Sequence, residues 1–303
     1  MRVQQLLSDE RPVDILRGKA GSVNNLAIGD WLRRLFLYVV LVVLSFAFAL
    51  PLLWMISTSL KTDPQVYHIP PIWVPNPIRL MNYPEVLTQV PFGLYFLNTL
   101  RYALPSVVGV LLSSSLAAYG FAGIRWRGRD ALFFIAICTM MVPFQVVMIP
   151  LYITFKHLGW LNSYKPLVIP AFFGFPYYIF LTRQFFLTIP SELSDAAWVD
   201  GCSPFMVYWR ILLPLSRSVL VVVGLFEFMA AWNNYLGPLI YLNRDELYPV
   251  ALALRMMRST FVEKLAWPYL MAASTMVVLP VILIFVIAQG FLVEGIALTG
   301  IKG

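Results

Sequence analysis

Residues 195–214 read Asp-Ala-Ala-Trp-Val-Asp-Gly-Cys-Ser-Pro-Phe-Met-Val-Tyr-Trp-Arg-Ile-Leu-Leu-Pro. The stretch lies between two long apolar runs and carries the punctuation of two short helices. Ser191 can cap the first, with Glu192 and Asp195 placed where acidic groups suit the positive end of a helix dipole. Gly201 can take the left-handed conformation that ends it. Ser203 can cap the second, with Pro204 at its first position and Pro214 closing the unit. A plain connector needs no such caps. Two capped helices make a stiff body able to dock on something.

The flanking runs set the fold class. Of the 303 residues, 60% are apolar and 12% are charged. A soluble domain carries about a quarter charged residues, so this is an all-α integral membrane protein. Six apolar runs are long enough to cross a bilayer: 35–58, 99–123, 131–154, 166–187, 217–240 and 270–293. The organisation predicted is an N-terminal segment 1–34, a six-helix domain 35–293 and a tail 294–303. Within the domain lie the capped loop 190–214 and two long loops at the opposite face, 61–98 and 241–269. Prolines 51, 105, 143, 150, 170, 176 and 280 fall inside the runs and predict kinked core helices. Ser113-Ser114-Ser115 and Ala117-Ala118 suit close helix–helix approach.

Basic residues give the orientation. Arg2, Arg11, Arg17, Lys19, Arg33 and Arg34 precede the first run, and Arg125, Arg127 and Arg129 fill the short second-to-third loop. Arg183, Arg210 and Arg217 edge the capped loop. The positive-inside rule then makes both termini and the capped loop cytoplasmic. The net charge of +7 reads as contact with anionic lipid and not with nucleic acid. Basic residues in the outer loops hint at an anionic cargo, or contact lipid or a partner.

Catalytic chemistry is missing. No phosphate-binding Gly-x-x-x-x-Gly-Lys-Ser/Thr loop, His-Glu-x-x-His or Cys-x-x-Cys occurs, and the two histidines, His68 and His157, fall in outer loops. No catalytic residue, metal site or cofactor is expected on this chain. Cys138 and Cys202 lie in different surroundings, which speaks against a disulfide. Polar residues within the runs are Arg101, Gln145, Glu227, Asn233, Asn234 and Gln289. Glu227 and Asn234 are two helical turns apart and would share a face with Asn233 nearby. They read either as the polar lining of a translocation path or as an interhelical hydrogen-bond clamp.

The capped loop resembles the coupling loop of bacterial ABC-importer permeases, Glu-Ala-Ala-x-x-x-Gly, nine intervening residues and then Ile-x-Leu-Pro. Asp195-Ala196-Ala197, Asp200-Gly201 and Ile211-Leu212-Leu213-Pro214 stand at the matching spacing. Asp195 replaces the usual Glu, and Ser218 stands where the sugar-importer version often has proline. From about residue 55 onward the chain is similar to the smaller permease subunit of maltose-type carbohydrate importers. The matches include Ser59-Leu60-Lys61-Thr62, Asn82-Tyr83, Asn98-Thr99, Pro143, Trp232-Asn233 and the C-terminal stretch from Gly295 to Gly303. The resemblance implies a type I importer permease in the bacterial inner membrane, forming half of a pathway for a sugar or oligosaccharide.

It further implies a second, usually non-identical permease, a dimer of ATPases that holds ATP and Mg, and an extracytoplasmic substrate-binding protein. Asp195, Ala196, Ala197, Asp200, Gly201, Phe205, Met206, Ile211 and Pro214 would then meet the ATPase. Gly300 and Lys302 would reach the ATPase interface from the tail, and loop 241–269 would meet the binding protein. The aspartates could instead serve only to cap the loop. Two other readings stand beside this one. One is an importer of anionic cargo such as an acidic oligosaccharide or glycerol phosphate; the other is an ion-coupled secondary transporter.

Overall fold

The computed structural model describes the backbone of residues 12–263 and 266–300, with side chains over 31–258 and 266–291. Lys302 lies outside the described residues. The chain divides into two units, Met1–Ser57 and Thr58–Gly303. No strand occurs among the described residues.

The described residues of the first unit form one helix. Helix α1 runs Pro12–Ser59, so part of the polar N-terminal segment continues directly into the first span. Its stretch Trp31–Ser59 is apolar enough to cross a membrane and carries Pro51.

The second unit is organised around one long helix. A single helical turn, Asp63–Val66, comes first, followed by α2 (Asn82–Gln89) and α3 (Phe92–Ala122). Helix α3 begins seven residues before the apolar run predicts, because Pro91 stops the chain and Phe92-Gly93-Leu94 extend the apolar helix outward. The third run is not one helix. It breaks into α4 (Arg129–Cys138, extended by a 3-10 turn to Met141) and α5 (Phe144–His157), bent by 97°. Pro143 sits at the break in extended conformation, and without an N–H it cannot continue the backbone ladder.

The fourth run is broken more severely. A single turn Lys165–Val168 and a 3-10 turn Ile169–Phe173 precede Gly174, whose φ of +83° unwinds the chain before α6 (Pro176–Phe186). Three prolines and a glycine in eleven residues (Pro166, Pro170, Gly174, Pro176) account for this. The remaining helices are α7 (Ser191–Val199), α8 (Pro204–Leu215), α9 (Arg217–Trp232), α10 (Leu236–Tyr241), α11 (Val250–Glu263) and α12 (Trp267–Gly300). The last helix continues through Gly300, where a tail after residue 293 is predicted. Three described helices can each cross a membrane alone, or up to five spans if each bent pair counts as one. At Pro143 and between Pro166 and Pro176 the kinks predicted from proline are complete breaks of the helix.

Helix α3 is the spine. Near its start, Tyr102 and Ala103 pack with Phe228, Trp232, Val250, Ala272 and Val277. Near its end, Val110, Ala118 and Tyr119 pack with Tyr178, Ile179, Phe186, Tyr208, Leu212 and Val223. Small residues permit the approach. A Cβ on Gly109 would come within 2.8 Å of the Phe172 ring. Ser114 and Ala118 are fully buried, and the Ser113 hydroxyl donates to the Ala171 carbonyl at 2.8 Å.

Candidate functional site

The capped loop folds as two short helices at the C-terminal end of α3. Helix α7 ends in a double hydrogen bond: Gly201 N donates to Trp198 O (3.0 Å) and Cys202 N to Ala197 O (2.9 Å). This Schellman geometry requires a left-handed residue, and Gly201 supplies it at φ +81°. Ser203 then caps α8, its hydroxyl accepting from Met206 N at 3.3 Å, with Pro204 at the first position. Ser191 does not cap α7. Pro190 occupies that position and Ser191 is the first helical residue, so no side-chain cap forms.

Pro214 does not end the unit either. It lies within α8, which closes at Leu215. Lacking an N–H, Pro214 removes a rung, and the turn Tyr208–Leu212 just before it widens into π-helix. Ser216 follows, and α9 leaves at 80° to α8. Backbone bonds run through this corner, from Ser216 N to Leu212 O and from Leu220 N to Ser216 O, each 3.0 Å.

The loop is tied to α3 by aromatic and hydroxyl contacts. The Tyr119 hydroxyl donates to the Pro204 carbonyl at 3.0 Å, and the Ser115 and Tyr208 hydroxyls meet at 2.7 Å. The Tyr119 and Tyr208 rings lie 5.4 Å apart. Ala197, Val207, Tyr208 and Leu212 are buried beneath the loop. Arg183, at the end of α6, donates to the Phe121 carbonyl at 3.2 Å and lies 3.6 Å from Asp130. Its guanidinium sits 4.1 Å over the Phe133 ring. The arginine-bearing second-to-third loop and the capped loop thus share one end of the unit.

Of the predicted contact residues, Asp195, Ala196, Asp200, Gly201, Phe205, Met206 and Pro214 are exposed, Ile211 is partly exposed, and Ala197 is buried. Neither aspartate hydrogen-bonds the loop backbone among the described residues. The capping alternative is thereby unsupported. Around them is an apolar face that the sequence reading did not single out: Leu193, Trp198, Val199 and Trp209 join Phe205, which is 64% exposed. Phe205 and Trp209 stack with centroids 6.3 Å apart. Their spacing of four residues in one helix was the available signal.

The polar set on the fifth run separates. Asn233 and Asn234 do not share a helix face with Glu227, because α9 stops at Trp232. Asn233 donates to the Met229 carbonyl at 2.8 Å, and Asn234 accepts from Gly237 N at 3.0 Å. Both asparagines finish helix ends. Glu227 stays within α9 and is partly exposed. No His, Cys, Asp and Glu group able to hold a metal occurs among the described residues, and both cysteines are free thiols.

A polytopic helical unit with a stiff, apolar-faced loop has the form of a transport subunit, and the relatives bear this out. Residues 109–297 match the family described as binding-protein-dependent transport system inner membrane component. The chain belongs to that family. It is 31% identical over 283 residues to the probable ABC transporter permease protein YurM of Bacillus subtilis, covering 91% of this chain and 90% of the relative. It is 29% identical over 265 residues to the arabinooligosaccharides transport system permease protein AraQ of Halalkalibacterium halodurans, covering 86% and 93%. At 29% over 268 residues it is similar to the sn-glycerol-3-phosphate transport system permease protein UgpE of Yersinia pestis, covering 86% and 95%.

Its fold matches that of a chain in the crystal structure of a bacterial ABC transporter that imports the acidic polysaccharide alginate. That match has a TM-score of 0.74 at 23% identity and covers 93% of this chain and 98% of the other. The chain is an ABC-importer permease, a transport subunit of the inner membrane. The family decides between the transport classes and sets the ion-coupled secondary transporter aside.

Proposed function

We propose that this permease forms half of a sugar or oligosaccharide pathway and is driven by a separate ATPase that binds ATP and Mg. The supporting observation is the loop 190–214, with a backbone locked by Gly201 and Ser203 and an outward face of Trp198, Val199, Phe205 and Trp209. Exposed aromatic residues framed by acidic ones suit a protein partner's cleft, where large apolar anchors carry most of the binding energy. Asp195 and Asp200 add polar contacts at the edge. Stiffness matters because a mobile loop would absorb a partner's movement without passing it on. The neighbouring arginines support a cytoplasmic position for this end and for both termini, with Gly300 and Lys302 as further contacts to the same partner. The opposite loops meet a substrate-binding protein, and a second, non-identical permease completes the pathway.

Purifying the chain from its native membrane tests the reading. A nucleotide-hydrolysing subunit, a second permease and retention of the binding protein are expected. A chain that purifies without any ATPase, and still transports after Asp195 and Gly201 are both replaced, would overturn it. Relatives that carry arabinooligosaccharides and glycerol phosphate leave both neutral and anionic cargo in the family's range.

A further inference from the structure

Residues 64–78, Pro-Gln-Val-Tyr-His-Ile-Pro-Pro-Ile-Trp-Val-Pro-Asn-Pro-Ile, contain five prolines and no Asp, Glu, Lys or Arg. They form a strap with a bonded base and an open tip. At the base, the Arg79 N–H donates to the Leu60 carbonyl at 2.9 Å. The buried Asn82 amide donates to the Ser59 and Lys61 carbonyls at 2.8 and 2.9 Å. The Gln65 amide reaches the Pro77 carbonyl across the strap at 3.4 Å. Toward the tip, Ile69 is 90% exposed, Val74 78% and Trp73 53%. Two features fix the depth of the base. The span Trp31–Ser59 ends where the strap starts. Arg79 bonds Glu85 at 3.0 Å, and Glu85 accepts from the hydroxyl of Tyr269, in the first turn of the span Trp267–Phe291. The base therefore stands at the level where spans leave the bilayer.

We infer that this strap lies on the lipid surface, with Ile69, Trp73 and Val74 set into the headgroup zone at the end of the unit opposite the capped loop. Apolar side chains this open are costly in water, and lipid removes the cost. Trp and Tyr suit the boundary between headgroups and acyl chains. Backbone N–H groups resist entry there, and a third of the strap's residues are prolines without one. A soluble partner that docks and leaves would uncover the face at each release, whereas lipid covers it throughout. The strap then fixes the height of the loop base beside the bilayer, and leaves α2 and loop 241–269 to the binding protein. The inference needs only the membrane placement that the family gives, whatever the cargo.

The test places an environment-sensitive fluorophore at Val74→Cys in a chain carrying Cys138→Ser and Cys202→Ser. The chain is purified with the subunits it retains and reconstituted into phosphatidylcholine–phosphatidylglycerol vesicles. Quenching by spin-labelled lipid is compared with quenching by aqueous iodide, before and after the binding protein is added. Strong quenching by lipid and weak quenching by iodide are expected, at a depth of about 5–10 Å below the headgroup surface. The binding protein should change neither. A label at Ile69→Cys should read the same, and it keeps the test standing if the Val74 variant does not fold. Strong iodide quenching throughout overturns the inference. Iodide quenching that the binding protein abolishes overturns it and assigns the strap to that partner. Protection from both quenchers overturns it and assigns the strap to another subunit.

Discussion

At the start of α3, the buried Asn98 amide donates to the carbonyls of Glu246 (2.6 Å) and Tyr248 (3.2 Å) and its oxygen accepts from Arg101 (3.0 Å). The Thr99 hydroxyl accepts from Val250 N at 2.9 Å, and the Tyr164 hydroxyl donates to the Leu247 carbonyl at 3.0 Å. Asn162, in left-handed conformation, bonds Tyr241 and Asn243. Arg79 grips Glu85 with one nitrogen 3.0 Å from both oxygens, and the Tyr269 hydroxyl donates to the same carboxylate at 2.5 Å. At the other end of α3, Tyr119, Tyr208 and Ser115 carry the attachment, and beyond them Trp198, Val199, Phe205 and Trp209 stand open. One end satisfies its long-range polar partners within the chain. The other keeps an apolar face without a cover. The two ends of α3 are thus divided by chemistry, one closed on its own chain and the other open.

The sharpest break of that contrast is at the open face. Phe205→Asp with Trp209→Asp should weaken retention of the ATPase by at least about 30-fold, since interface anchors contribute about 2 kcal/mol or more each. Pull-down from detergent reads this, and the thermal melting of the isolated chain should scarcely move. Asn98→Ala should do the reverse. Leaving buried carbonyls unpaired costs about 1–3 kcal/mol, so melting should fall while ATPase retention holds. A variant at either end that moves both readouts would dissolve the distinction.

Gly201→Val places a β-branched residue at φ +81°, at about 1–2 kcal/mol of backbone strain. A Cβ there meets nothing within 4 Å, so the effect is conformational. Cargo-stimulated hydrolysis should fall roughly tenfold while the apolar face stays chemically intact. The smallest effect concerns Glu85. The Tyr269 hydroxyl, and then Arg79, hold its carboxyl below its ordinary value of 4.5. A depressed carboxylate stabilises the fold fully above that ordinary value, and the contribution is lost as pH falls through the depressed one. Limited proteolysis of residues 61–98 should therefore be flat down to pH 4.5 and rise below it. Glu85→Gln should remove the step.

Local chemistry was legible in the sequence where a single residue type decides the backbone. Gly201, Ser203 and Pro204 behave as read, because a left-handed turn and a hydroxyl cap depend on neighbours within three or four positions. Ser191 was misplaced by one residue, since Pro190 takes the cap position without a side chain able to fill the role. Kinks were legible from the prolines inside the apolar runs, but not how completely each would break its helix. Hydrophobicity is blind to the N–H that Pro143 lacks and to the unwinding at Gly174. Asn233 and Asn234 were read on one helix face with Glu227, as a lining or a clamp, because an ideal helix was drawn through them; the helix ends at Trp232. Least legible were the ties across distance. Asn98 bonds a residue 148 positions away, and Glu85 one 184 positions away. No periodicity announces such partners.

The corner at Ser216 has a mechanical meaning. Phe205 and Glu227 each stand eleven residues from it, about 16 Å along their helices. Two rigid rods of equal length joined at 80° form a bell crank. A push delivered to the Phe205 arm would be turned through nearly a right angle at the Glu227 arm. Lengthening one arm by a single turn, about 5.4 Å, would alter that gearing by about a third.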